Sequence, residues 1–266
     1  MMTRTDRIAG AFARLRRAGR GGLVTYITAG DPDLETSADV LVALAGAGAD
    51  VLEVGVPFSD PVADGPVIQR ATERALAAGA TLRGVLDVIR TVRGKVETPI
   101  VLFTYANPVV RMEPGAFAHE AAAAGVDGVL VLDYPVEEAE PLRRPLVAAG
   151  LDPIFLISPT TSDARIRASS QLGAGFLYVI SRLGVTGARD EMAPDVEELM
   201  RRVRRNTSLP VALGFGISRP EHVAAACRYA DAAVVGSALV TVIAERGRRG
   251  AAAGAGEFVR WLKSAL

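Results

Sequence analysis

Two carboxylates in residues 51–69, VLEVGVPFSDPVADGPVIQ, have the placement of an acid–base pair. Glu53 lies inside an apolar run that reads as a strand, and side chains along a strand alternate in direction. Val51, Glu53 and Gly55 therefore share one face, while Leu52, Val54 and Val56 share the other. The second face is wholly apolar, as a sheet covered by helices requires, so Glu53 must point into whatever the sheet encloses. Eleven residues on, Asp64 sits in a Pro/Gly-rich turn able to fold back over the strand end. No basic residue occurs between positions 49 and 68, so a structural ion pair, the alternative reading, would need a distant arginine. Apolar surroundings lift a glutamate from its reference of about 4.3 toward neutrality, where it can both give and take a proton. A more exposed Asp64 is expected to stay ionised, and unequal environments of this kind give two acids unequal roles.

Further polar residues gather where other apolar runs end. They are Thr28 and Asp31, then Tyr105 and Asn107, Asp133, and finally Tyr178, Arg182 and Thr186. Near the C-terminus, two runs pass into Gly214-Phe215-Gly216-Ile217-Ser218 and Gly236-Ser237-Ala238. One such loop reads equally well as a tight turn. Two in succession match the barrel phosphate site, where backbone N–H groups and a helix N-terminus face an anion. Lys95 and Lys263 fall away from any strand end, which argues against Schiff-base chemistry. His119 and His222 lie in helical stretches without ligand-spaced neighbours. No nucleotide-binding fingerprint follows the first strand. What remains is cofactor-free proton transfer on a phosphorylated small molecule.

Positioning these residues requires strands whose ends meet. Apolar runs at 23–28, 51–56, 100–105, 128–132, 153–157, 176–180, 211–213 and 232–235 alternate with helical stretches at 36–47, 66–78, 82–94, 114–124, 137–149, 162–172, 196–206, 220–229 and 257–266. Eight such units without a linker or change of composition predict one closed parallel (βα)8 TIM barrel spanning residues 1–266; an open doubly wound sheet is the rival. Residues 1–20 are Arg-rich, as a transit peptide would be, but Ile8, Phe12 and Leu15 share one helical face. They predict an N-terminal capping helix stopped by Gly21-Gly22. Residues 246–256 read as a loosely specified connection, and residues 183–194 as a mobile loop over the site, or else a static surface loop.

Composition excludes other classes. Half the residues are apolar and Lys+Arg and Asp+Glu are both 30, so nothing attracts nucleic acid or an anionic membrane surface. The single Cys227 precludes an internal disulfide and fits a reducing, cytoplasmic setting. No apolar run would span a bilayer without charges or Gly/Pro breaks.

In the order YITAGDP (26–32), LEVGVPFSDPVADGPVIQ (52–69), YANPV (105–109), GVTG (184–187), GFGIS and VGSA, the chain resembles the tryptophan synthase alpha chain family over nearly its full length. The resemblance implies a (βα)8 barrel that cleaves indole-3-glycerol phosphate to indole and glyceraldehyde 3-phosphate without a cofactor. By the match, Glu53 is the general acid/base and Asp64 binds the indole N–H. Tyr26, Tyr105, Tyr178 and Thr186 bind substrate, and Gly187, Gly216, Gly236 and Ser237 hold the phosphate. A pyridoxal-phosphate beta chain is the implied partner in an αββα assembly, docking over Asp60, Pro61, Asn107 and Pro135. The chain departs from the family pattern at Thr25, Leu132, Tyr134 and Ser158, none of which touches the two carboxylates in sequence. A free-standing lyase that releases indole would share the same catalytic residues, and a silent barrel that only activates a beta chain would not need them.

Overall fold

The computed structural model describes residues 6–181, 194–214 and 216–266. Eight parallel strands close on one another in chain order: β1 (Gly22–Thr28), β2 (Val51–Gly55), β3 (Ile100–Thr104), β4 (Gly128–Val131), β5 (Asp152–Ile157), β6 (Leu177–Ile180), β7 (Val211–Gly214) and β8 (Ala232–Val235). Around them run α1 (Arg7–Ala18), α2 (Leu34–Gly46), α3 (Pro66–Ala77), α4 (Leu82–Arg93), α5 (Ala106–Met112), α6 (Pro114–Ala124), α7 (Glu140–Ala148), α8 (Asp163–Leu172), α9 (Pro194–Asn206), α10 (Pro220–Cys227) and α11 (Ser237–Lys263). β1 pairs with β8, so the sheet is the expected closed barrel and not the open alternative. Among the described residues no helix is long and apolar enough to cross a membrane.

Alternation sorts the strands as the sequence requires. Leu52 and Val54 face outward into the shell packed under the helices. Val24, Val51, Val101, Leu130 and Phe176 face inward and fill the lower half of the barrel. α1 closes the base: Ile8, Phe12 and Leu15 join that interior cluster, and the Phe12 and Phe176 rings lie 5.5 Å apart. Burying each of these side chains is worth about 1.5–3 kcal/mol, which holds α1 in place although its N-cap Asp6 makes no capping hydrogen bond. Gly128 makes room, since a Cβ there would stand 2.9 Å from Ile8 Cδ1. The helix ends earlier than expected, with Gly19 in the left-handed conformation as its cap, and Gly22 opens β1 instead of closing α1.

Three aspartates at the base repeat one device. Asp50, Asp127 and Asp231 accept the N–H groups of Leu23, Ile100 and Val211, the N-terminal ends of neighbouring strands, at 2.9, 2.8 and 2.7 Å. Each is balanced by a cation, Lys263, Arg93 and Arg204 respectively. Such residues at the N-terminal face serve stability, which leaves the opposite mouth free for chemistry.

Two elements differ from expectation. Residues 246–256 are helical, not a loose connection: α11 runs through them, broken only by Gly247 at φ 60°. Ala251, Gly254 and Ala255 are buried there, small side chains that let α11 lie close against α2. α5 was not among the expected helices; its Pro108 falls in the first helical turn, where proline is tolerated because N–H groups there have no intrahelical acceptor.

Candidate active site

Glu53 is fully buried at the centre of the barrel, between Tyr26 on β1 and Val101 on β3 in the strand register. Among the described residues neither of its carboxylate oxygens has a hydrogen-bond partner. Burial alone pushes its carboxyl up to about 8, because a charge in apolar surroundings loses its hydration. The lone distant arginine that a structural ion pair would need is absent among the described residues, and the acid stands poised to hold its proton at neutral pH.

Aromatic rings wall the space above it. Tyr26 meets Phe103 edge to face at 5.2 Å, and Phe103 lies 6.4 Å from Tyr178. Gly55, the next inward position after Glu53, has no side chain for a physical reason: a Cβ there would overlap the Tyr26 hydroxyl. That hydroxyl shares a 3.4 Å hydrogen bond with Thr28. Gly214 plays the same part beside Tyr178, whose hydroxyl would lie 3.2 Å from an added Cβ. Gly55 was not singled out in sequence as a site residue, although inward parity after Glu53 was an available signal; Gly214 was noted only as part of a glycine-bearing loop. Burial first, and then the charges of Glu53 and Asp64, raise both phenols well above their ordinary value. Both carboxylates therefore act on the same two tyrosines.

Asp64 comes back over the strand ends as the turn chemistry suggests. It is half-buried, and its Oδ2 accepts the Tyr105 hydroxyl at 2.8 Å. The same hydroxyl accepts the Ala63 N–H at 3.1 Å, and the Tyr105 ring packs on Phe58 at 5.2 Å. Desolvation raises the Asp64 carboxyl too, opposed by the Tyr105 donor. The two acids are thus unequal, as expected, but by a different route: both are desolvated, and only Asp64 has a donor that favours its charge.

Across the mouth, Gly216 follows β7 at φ 80°, and Gly236 leads into Ser237, the first residue of α11. Gly236, the N-cap of α11, has no side chain to cap it, so among the described residues the first N–H groups of the helix are available to an anion. Arg182, Thr186, Gly187 and the rest of the expected 183–194 loop as far as residue 193 lie outside the described residues, as does Phe215, while Pro194 opens α9. Asp31 does not join the site: it is buried in a bidentate pair with Arg74 of α3, at 2.8 and 2.7 Å. Asp60 and Asn107 are exposed on the rim, with Pro61 and Pro135 partly covered beside the same mouth loops. Leu132, Tyr134 and Ser158 come together around a cavity of about 290 Å³ at the ends of β4 and β5, and Thr25 is buried in β1. Among the described residues no three His, Cys, Asp or Glu side chains gather as a metal site.

A closed parallel barrel, with a buried acid inside and a second carboxylate over the C-terminal ends of its strands, defines a (βα)8 protein whose candidate site lies at that mouth. A family model described as tryptophan synthase alpha chain matches residues 12–263. The tryptophan synthase alpha chain of Burkholderia thailandensis is 49% identical over 262 residues, covering 98% of this chain and 97% of that one. Tryptophan synthase subunit alpha from Legionella pneumophila superposes with a TM-score of 0.90 at 36% identity, covering 99% and 98% of the two chains. A chain of the tryptophan synthase a2b2 complex from Pyrococcus furiosus gives 0.86 at 39% identity, over 92% and 98%. The chain belongs to the tryptophan synthase alpha chain family.

Proposed function

We propose that this chain cleaves indole-3-glycerol phosphate to indole and glyceraldehyde 3-phosphate using its own side chains, with Glu53 as the acid and base. The observation that carries this reading is the buried Glu53 carboxyl, without a partner among the described residues and pushed up to about 8 by burial. Protonated at neutral pH, Glu53 gives its proton to indole C3. The ring nitrogen then carries the positive charge, and ionised Asp64 accepts its N–H. Glu53, now a carboxylate, takes the proton from the hydroxyl on the carbon attached to C3. That carbon becomes the aldehyde, the carbon–carbon bond breaks, and its electron pair restores the indole ring. Glu53 ends protonated, so each turnover leaves the enzyme unchanged.

Tyr26, Phe103 and Tyr178 offer the ring an apolar wall, and Gly216, Gly236 and Ser237 offer the phosphate backbone N–H groups at the α11 N-terminus. Thr186 and Gly187 complete this assignment by family likeness. The same likeness, to a protein from an a2b2 complex, supports a beta chain as partner for the indole, docking over Asp60, Pro61, Asn107 and Pro135. Indole release by the purified chain, with and without its cognate beta chain, tests the reading. Slow release stimulated by the partner supports it. Fast release indifferent to the partner identifies a free-standing lyase, and no release in either case sinks the proposed reaction.

A further inference from the structure

Asp133 stands exposed at the end of β4, and the proposed reaction gives it no task. Its Oδ1 accepts the Ala106 N–H at 2.7 Å. Ala106 is the first residue of α5, so its N–H has no acceptor within the helix, and a carboxylate there also meets the positive end of the helix dipole. The bond fixes the peptide that joins Tyr105 to α5, and with it the direction in which the Tyr105 side chain leaves β3.

Tyr105 is buried, and its hydroxyl is committed on both sides: it donates to Asp64 Oδ2 at 2.8 Å and accepts from Ala63 N at 3.1 Å. A phenol has one proton to donate. With that proton given to Asp64, the hydroxyl has none left for a substrate atom. The Asp64 backbone is tied independently, its carbonyl accepting from Gln69 Nε2 at 2.9 Å and its N–H donating to Pro61 O at 3.0 Å. Among the described residues only Tyr105 holds the carboxylate itself. Among the described residues Asp64 has no ion-pair partner; the titratable groups around it are Tyr105, Tyr26 and Tyr178, with Glu53 facing the latter two and Asp133 acting on Tyr105.

We infer that Tyr105 is the positioning residue for Asp64, aimed by the Asp133–Ala106 bond, and that it acts through that carboxylate and not by a polar contact with substrate. The inference rests on the reaction proposed above for the role of Asp64. It makes Oδ1, the oxygen that Tyr105 leaves open, the one presented to the indole N–H.

Tyr105→Phe keeps the ring on Phe58 and removes only the hydroxyl. Loss of a hydrogen bond to a charged group should lower kcat/KM about ten-fold and move the acid limb of its pH profile up by about one pH unit. The sign follows from Asp64 working as the ionised form: without its donor it ionises at higher pH, so activity is lost earlier as the pH falls. The alkaline limb belongs to Glu53 and should stay in place, which a general loosening of the site would not respect. In an Asp64→Asn background, Tyr105→Phe should cost nothing further. Asp133→Ala should move the acid limb in the same direction by less. A raised KM with both limbs unmoved, or losses that multiply in the double variant, would overturn the inference in favour of direct substrate contact. Carboxyl NMR titration of labelled Asp64 in the wild type and Tyr105→Phe reads the same bond without turnover. It should show the Asp64 midpoint rising by about one unit, and an unmoved midpoint refutes the positioning role even if the proposed reaction itself proves wrong.

Discussion

Replacing Glu53 by glutamine separates the energetic cost of its burial from its chemistry. The folded carboxyl titrates at about 8 against an ordinary value of 4.5. Between those values the native state keeps a proton that the unfolded chain has released, so stability is whole below about pH 4.5 and falls as the pH rises toward 8. Each pH unit inside the window is worth about 1.4 kcal/mol for one group. Moving from pH 6 to pH 8 should therefore cost the wild type about 2 kcal/mol through Glu53, with the last part of the window softened because the folded group is itself half ionised at its midpoint. Glu53→Gln has no such charge to bury. For a chain of this length, where 1 kcal/mol is roughly 2–4 °C, the melting temperature of the variant relative to wild type should rise by about 4–8 °C between pH 6 and pH 8. Differential scanning calorimetry of both proteins across this range supplies the comparison, and subtracting one profile from the other removes every group the two share. Parallel melting profiles would refute the reasoning, because they would mean that Glu53 is hydrated or partnered in solution. The same substitution should reduce indole release by at least about 10²–10⁴-fold, the usual worth of a positioned acid–base group, and wild-type kcat/KM should decline above pH 8 as Glu53 loses the proton it must donate.

Asp64→Asn keeps the Tyr105 hydrogen bond within reach but removes the charge offered to the ring nitrogen, so turnover should fall about 10²–10³-fold; a loss under ten-fold would place that stabilisation elsewhere. Gly55→Ala should cost about 1–3 kcal/mol in urea unfolding, since the new methyl overlaps the buried Tyr26 hydroxyl, and wild-type stability with wild-type turnover would show that the close approach does not persist in solution. Asp127→Ala removes the carboxylate facing Arg93, which keeps only its backbone carbonyl acceptors, and the acceptor of the Ile100 N–H at the barrel base. A loss of about 3–5 kcal/mol is expected on breaking such a buried pair, with turnover of the folded protein preserved because the mouth is at the other end; a loss below 1 kcal/mol would mean that water replaces the pair.

Strand periodicity is a local property, and it was enough to place Glu53 inside the barrel: with the outward positions of β2 all apolar, the inward face could hold the acid and nothing else could. The same reasoning put Ile8, Phe12 and Leu15 on one face of α1 and the glycine loops at the ends of β7 and β8. Eight repeats of strand and helix also determined a parallel sheet covered by helices, because each apolar strand needs cover on both faces, while the β1–β8 pairing that chose the closed barrel over the open sheet is tertiary. Where sequence reading failed, a distant neighbour decided. The small residues of α11 look like a loose linker until α2 lies against them. Asp31 looks like a mouth residue until Arg74 arrives from α3.

The chemistry divides along the same line. Residue type and spacing named both carboxylates, since only their identity and parity were needed. Three-dimensional packing decided what each one is: the absence of any partner around Glu53 that leaves desolvation unopposed, the Tyr105 hydroxyl that opposes it at Asp64, and the bare Cα of Gly55 that lets Tyr26 stand over the acid. Each of these is a contact between residues far apart in the chain or on neighbouring strands, and its energy depends on distances that no single segment contains.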